Sequence, residues 1–107
     1  MNLLFVCSQN KLRSPTAESV FSEVDYINVR SAGLNNNAEI PLGVEDIVWA
    51  DCMFVMEQAQ KKKWQTYFKA HLKDQRVICL NIPDKYKYME PALIELFKQK
   101  VPRYISN

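Results

Sequence analysis

The sequence predicts an α/β fold: a single domain with a three-layer α/β/α arrangement around a four-stranded parallel sheet. Short apolar runs alternate with segments of helical composition along the chain. Strands separated by helices imply βαβ units with right-handed crossovers, and therefore a mainly parallel sheet. The length of 107 residues is close to the common size of one domain with its own core. We therefore expect one domain over residues 1–107.

The first half of the chain supplies two strands and a helix. Residues 3–6 form a continuous apolar run, as expected for a strand covered on both faces. A helix is predicted to follow, with Ser14 as its N-cap and Pro15 at its first position. The second strand is expected over residues 26–30. Residues 34–43 contain three consecutive Asn, a Pro and a Gly, which predicts a loop.

The second half repeats this alternation. A short helix is predicted over residues 44–50, a third buried strand over 52–56, a helix over 58–72 and a fourth strand over 76–80. A loop then precedes a last helix, which begins at Pro91.

Composition and charge exclude several classes of function. The net charge of +2 is too small to indicate a nucleic-acid partner, and no apolar stretch has the length of about 18 residues that a membrane span needs. The chain begins without a basic, signal-like segment. Three cysteines without a C-x-x-C spacing indicate neither a disulfide scaffold nor a zinc site, which favours the reducing cytoplasm. Cys52 and Cys79 lie within apolar runs, so we expect both to be buried.

Cys7 ends the first apolar run, and Arg13 follows it six positions later, just before the predicted helix. A tight loop between a strand and a helix directs backbone N–H groups at one centre, and the helix dipole adds to their field. Arginine can grip two phosphate oxygens with its planar fork. The same field favours the thiolate form of a cysteine, which is the nucleophilic form. The segment therefore predicts a phosphate-binding loop around Cys7, formed by Ser8, Gln9, Asn10, Lys11, Leu12, Arg13 and Ser14.

Two residues of this loop have alternative roles. Ser14 can donate its hydroxyl to the sulfur of Cys7, or it can simply cap the helix. Asn10 can fix the backbone of the loop with its side-chain amide, or it can be an ordinary turn residue.

Attack of a thiolate on a phosphate ester also needs a proton donor for the leaving alcohol. We predict this donor at Asp84, which follows the last strand and should lie at the same sheet edge as Cys7. The alternative is a plain turn residue after Pro83. Tyr86 and Tyr88 in the same loop could line a slot for an aromatic substrate, or cover the final helix. Asp51 precedes a strand, so we expect it at the opposite edge with a capping role.

With these residues in place, the chain resembles the low-molecular-weight protein tyrosine phosphatases, and in particular a compact bacterial branch of predicted tyrosine phosphatases. The resemblance rests on a C-x-x-N-x-x-R-S-P loop after a strand, followed by a helix of the S-P-x-A-E kind. It implies a sheet order of 2-1-3-4 and a cysteine-dependent phosphomonoesterase without a metal or other cofactor. It also implies Cys7 as nucleophile, Arg13 as phosphate clamp, and Asn10 and Ser14 as supports of the loop.

The sequence departs from the family pattern at three points. Gln9 stands where the loop usually has Gly, Leu12 stands where a second Cys is common, and Pro83 precedes Asp84 instead of following it. Two alternative functions stay open: a thiol-dependent arsenate reductase that would use Cys52 or Cys79, and a non-catalytic oxyanion-binding module. For the phosphatase, the expected partner is a phosphorylated protein, with phosphotyrosine, or a small aryl phosphate, and the expected state is a monomer or weak dimer.

Overall fold

The computed structural model describes residues 1–8, 11–35, 37–73 and 75–105. The strands are β1 (Asn2–Cys7), β2 (Asn28–Gly33), β3 (Cys52–Val55) and β4 (Arg76–Cys79). The α-helices are α1 (Arg13–Phe21), α2 (Val44–Trp49), α3 (Gln58–Phe68) and α4 (Pro91–Lys100), with short 3-10 turns at Lys69–His71 and Pro102–Tyr104.

The four strands pair in parallel in the order β2-β1-β3-β4, which confirms the predicted sheet and its order. Strand β1 is central, and its Leu3 lies opposite Val29 of β2 and Cys52 of β3. All the strands run in one direction, so their carboxyl ends share one edge of the sheet. Cys7 is the last residue of β1 and therefore lies at that edge.

The side chains of β1 alternate between two separate cores. Leu3, Phe5 and Cys7 belong to a core cluster with residues of α1 and α4, whereas Leu4 and Val6 belong to a cluster with residues of α2 and α3. Because successive side chains of a strand point to opposite faces, the two clusters lie on opposite sides of the sheet. This placement of the helices confirms the three-layer prediction. Phe5 anchors the first core, with its ring stacked 5.0 Å from that of Phe54.

The structure differs from the prediction at the start of α1. The helix begins at Arg13, with Leu12 in the N-cap position and no side-chain cap, so the prediction of Ser14 as N-cap was wrong. Ser14 lies inside the first turn, where its buried hydroxyl faces the sulfur of Cys7. The N-cap position lies two residues before Ser14, because the helix already begins at Arg13.

The ends of other strands and helices also differ from the predicted ones. Strand β2 begins at Asn28 and runs to Gly33, because each of its residues pairs with one of β1, from Asn2 to Cys7. The predicted long third helix ends at Phe68 and continues as a 3-10 turn. Cys52 is buried as expected, but Cys79 is partly exposed, since β4 is an edge strand. Among the described residues, no helix is long and apolar enough to cross a membrane.

The buried thiol of Cys52 leads to a prediction about stability at high pH. Burial raises the pKa of Cys52 to about 11, an effect that Arg76 partly offsets. The thiol therefore ionises more readily in the unfolded chain, so its contribution to stability is complete below a pH of about 9 and is lost as the pH rises toward 11. Urea unfolding at successive alkaline pH values should show a steeper loss of stability for the wild type than for Cys52→Val. Lysines and tyrosines titrate equally in both proteins, so they do not contribute to the difference between them. An equal pH dependence of stability in the two proteins would therefore contradict the prediction for Cys52.

Candidate active site

Cys7 and Ser14 form the centre of the candidate site. The sulfur of Cys7 lies 2.9 Å from the hydroxyl oxygen of Ser14, and both side chains are buried, with 3% of Cys7 and 0% of Ser14 exposed. The carbonyl of Cys7 accepts a hydrogen bond from the backbone N–H of Leu34, so the strand end is fixed on the β2 side as well. When Cys7 is a thiolate, the Ser14 hydroxyl is the donor of this contact, and it stabilises the negative sulfur.

Arg13 is buried beside Cys7 and is held by the chain on two sides. Its Nη1 donates to Oε1 of Glu57 at 2.7 Å and to the carbonyl of Ile82 at 2.8 Å. The guanidinium has five N–H donors, and these two bonds use both hydrogens of Nη1. The Nε–Nη2 edge has no hydrogen-bond partner among the described residues. A planar edge of this kind matches two oxygens of a phosphate.

Asp84 lies next to that edge of Arg13. Its Oδ1 is 3.7 Å from Nε of Arg13, and 65% of its side chain is exposed. Asp84 follows β4, so it reaches the carboxyl edge of the sheet, as its place in the sequence suggests. The Asp84 carboxyl is therefore open to solvent and lies beside the buried guanidinium.

One pocket joins these three side chains. It has a volume of about 200 Å³, and its described walls are Cys7, Ser8, Lys11, Leu12, Arg13 and Asp84. A buried sulfur, a buried cation and an exposed carboxylate therefore face one small space. Lys11 adds a second, exposed cation, and Leu12 adds an apolar side chain that is 38% exposed. Gln9 and Asn10, which the sequence also assigns to this loop, lie outside the described residues.

The structure does not bring the two predicted tyrosines to this pocket. Tyr86 packs against the core that contains Phe5, with the ammonium of Lys85 5.5 Å from its ring centre. Tyr88 is half exposed, and its hydroxyl lies 3.1 Å from that of Ser19 on α1. The described wall of the pocket thus contains no aromatic ring.

Two polar residues that support the site, Glu57 and Gln60, were not predicted from the sequence. Glu57 follows β3 and orients Arg13, although 46% of its side chain is exposed. Gln60 is buried: its Nε2 donates to the hydroxyl of Ser8, and its Oε1 accepts from the backbone N–H groups of Met56 and Glu57. The available signal was the position of Glu57 directly after a buried strand, at the same edge as Cys7. The contact between Gln60 and Ser8 spans 52 positions and has no local signature.

Thr16 connects the loop to the segment after Asp84. Its hydroxyl donates to the carbonyl of Leu12 at 2.7 Å and accepts from the backbone N–H of Met89 at 2.9 Å. Met89 has a φ of 58°, in the left-handed region, so this hydrogen bond stabilises a backbone turn that would otherwise be unfavourable. Asp51 lies at the opposite sheet edge, where Oδ2 accepts from the backbone N–H of Asn2 at 2.8 Å.

Comparison with known proteins gives matches at the level of structure. No family model and no curated protein matches the sequence. SP-PTP, a low-molecular-weight protein tyrosine phosphatase from Streptococcus pyogenes, superimposes with a TM-score of 0.78 at 16% identity, over 99% of this chain and 94% of that one. DARP, a drosophila arginine phosphatase, gives a TM-score of 0.74 at 17% identity, over 100% and 99% of the two chains.

A third similar structure is a mutant of the YwlE arginine phosphatase with a phosphorylated active-site serine. It gives a TM-score of 0.74 at 22% identity, over 99% of this chain and 98% of that one. These similarities cover nearly the whole of each chain. The chain therefore has the fold of the low-molecular-weight protein tyrosine phosphatases.

Proposed function

We propose that this protein is a cysteine-dependent phosphomonoesterase that acts on phosphorylated protein. The observation that carries the proposal is the pocket in which the sulfur of Cys7, hydrogen-bonded to Ser14, faces the guanidinium of Arg13 and the carboxyl of Asp84. A nucleophile, an oxyanion clamp and a proton donor are the groups that phosphate-ester hydrolysis through a covalent intermediate requires.

In the first step, the Cys7 thiolate attacks phosphorus, and a sulfur–phosphorus bond forms as the bond to the leaving oxygen breaks. Asp84, in its protonated form, gives its proton to the leaving oxygen. The Nε–Nη2 edge of Arg13 binds two of the remaining phosphoryl oxygens. Glu57 and the carbonyl of Ile82 hold the other side of the guanidinium, so the clamp is oriented before the substrate binds.

In the second step, water attacks the cysteinyl phosphate. The Asp84 carboxylate accepts a proton from that water, the sulfur–phosphorus bond breaks, and inorganic phosphate leaves. Ser14 donates to the departing sulfur, which returns as a thiolate. The phosphorylated active-site serine of the YwlE arginine phosphatase mutant supports a covalent route on this fold.

Phosphotyrosine is the first candidate for the substrate, as in the tyrosine phosphatases of the same fold. The exposed part of Leu12 offers an apolar contact for an aromatic leaving group. The free thiol that this chemistry needs is consistent with the reducing cytoplasm.

Phosphoarginine is a second candidate, and a specific observation favours it. Its phosphoryl group is bonded to nitrogen, so Cys7 would displace a guanidine and Asp84 would protonate the leaving nitrogen as the phosphorus–nitrogen bond breaks. The described wall of the pocket has no aromatic ring to stack on a phosphotyrosine, and two of the three similar structures reported above are arginine phosphatases. Two peptides of one sequence, carrying phosphotyrosine or phosphoarginine, distinguish the candidates by their relative kcat/KM.

The placement of the other cysteines argues against an arsenate reductase. Cys52 lies opposite Leu3, which is four residues before Cys7 and so about 13 Å away along the strand. Cys79 lies two strands from β1 and packs against the core on the opposite face from Cys7. Neither thiol is positioned to form a disulfide with Cys7.

The test of the proposal is hydrolysis of an aryl phosphate across acidic and neutral pH. We expect Asp84→Asn to lower kcat by about a hundredfold to ten-thousandfold, the usual contribution of general acid–base catalysis, and to change the acidic limb of the pH profile. Asp25→Asn is the matched control, because Asp25 is an exposed carboxylate before β2, at the far edge of the sheet.

Two results would contradict the proposal in different ways. Full activity in Asp84→Asn would remove Asp84 from the mechanism while leaving the phosphatase intact. A wild type that binds phosphate but releases none from the ester would favour the non-catalytic oxyanion-binding module.

A further inference from the structure

A second pocket lies outside the site around Cys7, at the carboxyl end of β4. It has a volume of about 210 Å³ and lies between that strand end and the end of α4 with its following 3-10 turn. We call it the basic pocket, and its described walls are Cys79, Leu80, Asn81, Lys100, Arg103 and Tyr104.

The charges of the basic pocket are of one sign. Lys100 and Arg103 line it, and no carboxylate of a described residue lies within ion-pairing distance of either cation. By contrast, Arg13 and Arg30 both have acidic partners. A third cation is close by, because Nη1 of Arg76 donates to the carbonyl of Tyr104 at 2.9 Å. An anion in the basic pocket would therefore meet positive charge that no carboxylate of the described residues balances.

The neutral walls add hydrogen-bond donors to this charge. The side-chain amide of Asn81 and the hydroxyl of Tyr104 can each donate to an oxyanion. The arginine fork of Arg103 suits a phosphoryl group in particular. The volume is below the roughly 300–1,000 Å³ of pockets for drug-sized ligands, so the ligand is small.

We propose that the basic pocket is a second oxyanion site, which binds inorganic phosphate or the phosphoryl group of a small organic molecule. The proposal does not depend on the reaction at Cys7. It does place a ligand close to that site, because Asn81 precedes Ile82, whose carbonyl accepts from Arg13. Asn81 has a φ of 55°, in the left-handed region, and its side chain accepts a hydrogen bond from the thiol of Cys79 at 3.3 Å. A ligand that binds Asn81 thus acts on a backbone segment that also holds Arg13.

The test is a titration of the full chain with inorganic phosphate, followed by heteronuclear NMR at constant ionic strength. We expect the amide signals of Leu80, Asn81 and Arg103 to move saturably with one midpoint. Ser8 and Lys11 report separately on the pocket at Cys7. Movement at Asn81 without movement at Ser8 would support the basic pocket while contradicting the proposed active site, so the two proposals can fail independently.

Two variants distinguish a specific binding site from general attraction of anions to a basic surface. Lys100→Gln/Arg103→Gln should weaken binding at the basic pocket at least about tenfold, because charge-assisted hydrogen bonds are lost. Lys98→Gln is the matched control, since Lys98 belongs to the same last turn of α4 but does not line the pocket. An unchanged Kd in the double variant, an equal loss in Lys98→Gln, or no saturable movement of the Asn81 signal would overturn the proposal.

A second titration identifies the source of the phosphoryl group. Methylphosphonate carries the same oxyanion on an organic substituent and cannot be hydrolysed as an ester. Binding of phosphate and methylphosphonate with similar Kd supports a site for organic phosphoryl groups, whereas binding of phosphate alone supports a site for free phosphate.

Discussion

Cys7→Ser is expected to reduce the hydrolysis of an aryl phosphate by about ten-thousandfold or more, the scale on which enzymes lose activity when their nucleophile is removed. Serine retains a polar atom near Ser14, but its hydroxyl is a far weaker nucleophile than a thiolate. Cys7 is 3% exposed and lies at the end of a central strand, so this small change should leave the fold intact. The measurement is kcat/KM with thermal unfolding of the same preparation.

The matched control for this variant is Cys79→Ser, a cysteine replacement on the opposite face of the sheet. It should retain wild-type phosphatase activity. Reduction of arsenate by the wild type in the presence of a thiol reductant, lost in Cys79→Ser with Cys7 unchanged, would instead support thiol-dependent reductase chemistry. Retained activity in Cys7→Ser would remove Cys7 from the reaction altogether.

Arg13→Lys is expected to lower kcat/KM by about a hundredfold to a thousandfold, similar to the loss of a donor that stabilises a transition-state oxyanion. Lysine keeps the charge and can still pair with Glu57, but it cannot offer a planar two-point contact. The affinity for inorganic phosphate, measured as a competitive inhibition constant, should weaken together with kcat/KM. This joint loss would identify Arg13 as a phosphate ligand as well as a buried structural cation.

Arg30→Lys is the control for the arginine replacement. Arg30 pairs with Asp46 and lies over the ring of Trp49, away from the pocket of Cys7. It should affect stability but not the inhibition constant of phosphate. If Arg13→Lys and Arg30→Lys lower activity only in proportion to their loss of folded protein, the proposed clamp is wrong.

The positions of Cys7 and Asp84 could be predicted from the sequence because both follow buried apolar runs. In a parallel sheet, residues that follow strands meet at one edge, whichever strands they follow. The role of Ser14 could not be decided in this way. A serine before a proline fits an N-cap as well as a sulfur ligand, and the choice depends on where the preceding loop ends.

The contacts that the loop makes with distant parts of the chain could not be predicted from the sequence either. Glu57 reaches Arg13 from 44 positions away, and Gln60 reaches Ser8 from 52 positions away. Tyr86 and Tyr88 illustrate the opposite case. They are near Asp84 in the chain, but core packing and the contact with Ser19 direct them away from the pocket.

The sequence by itself determined the alternation of strands and helices, the parallel sheet and the strand end that carries Cys7. These features follow from local hydrophobic runs and from the covalent order of the chain. Only the tertiary structure set the geometry of the groups around that sulfur: the Ser14 hydroxyl at 2.9 Å, the Arg13 guanidinium oriented by Glu57, and the Asp84 carboxyl 3.7 Å from Nε of Arg13. Such contacts depend on the register between distant segments and on side-chain packing, and neither is encoded in any local pattern of residues.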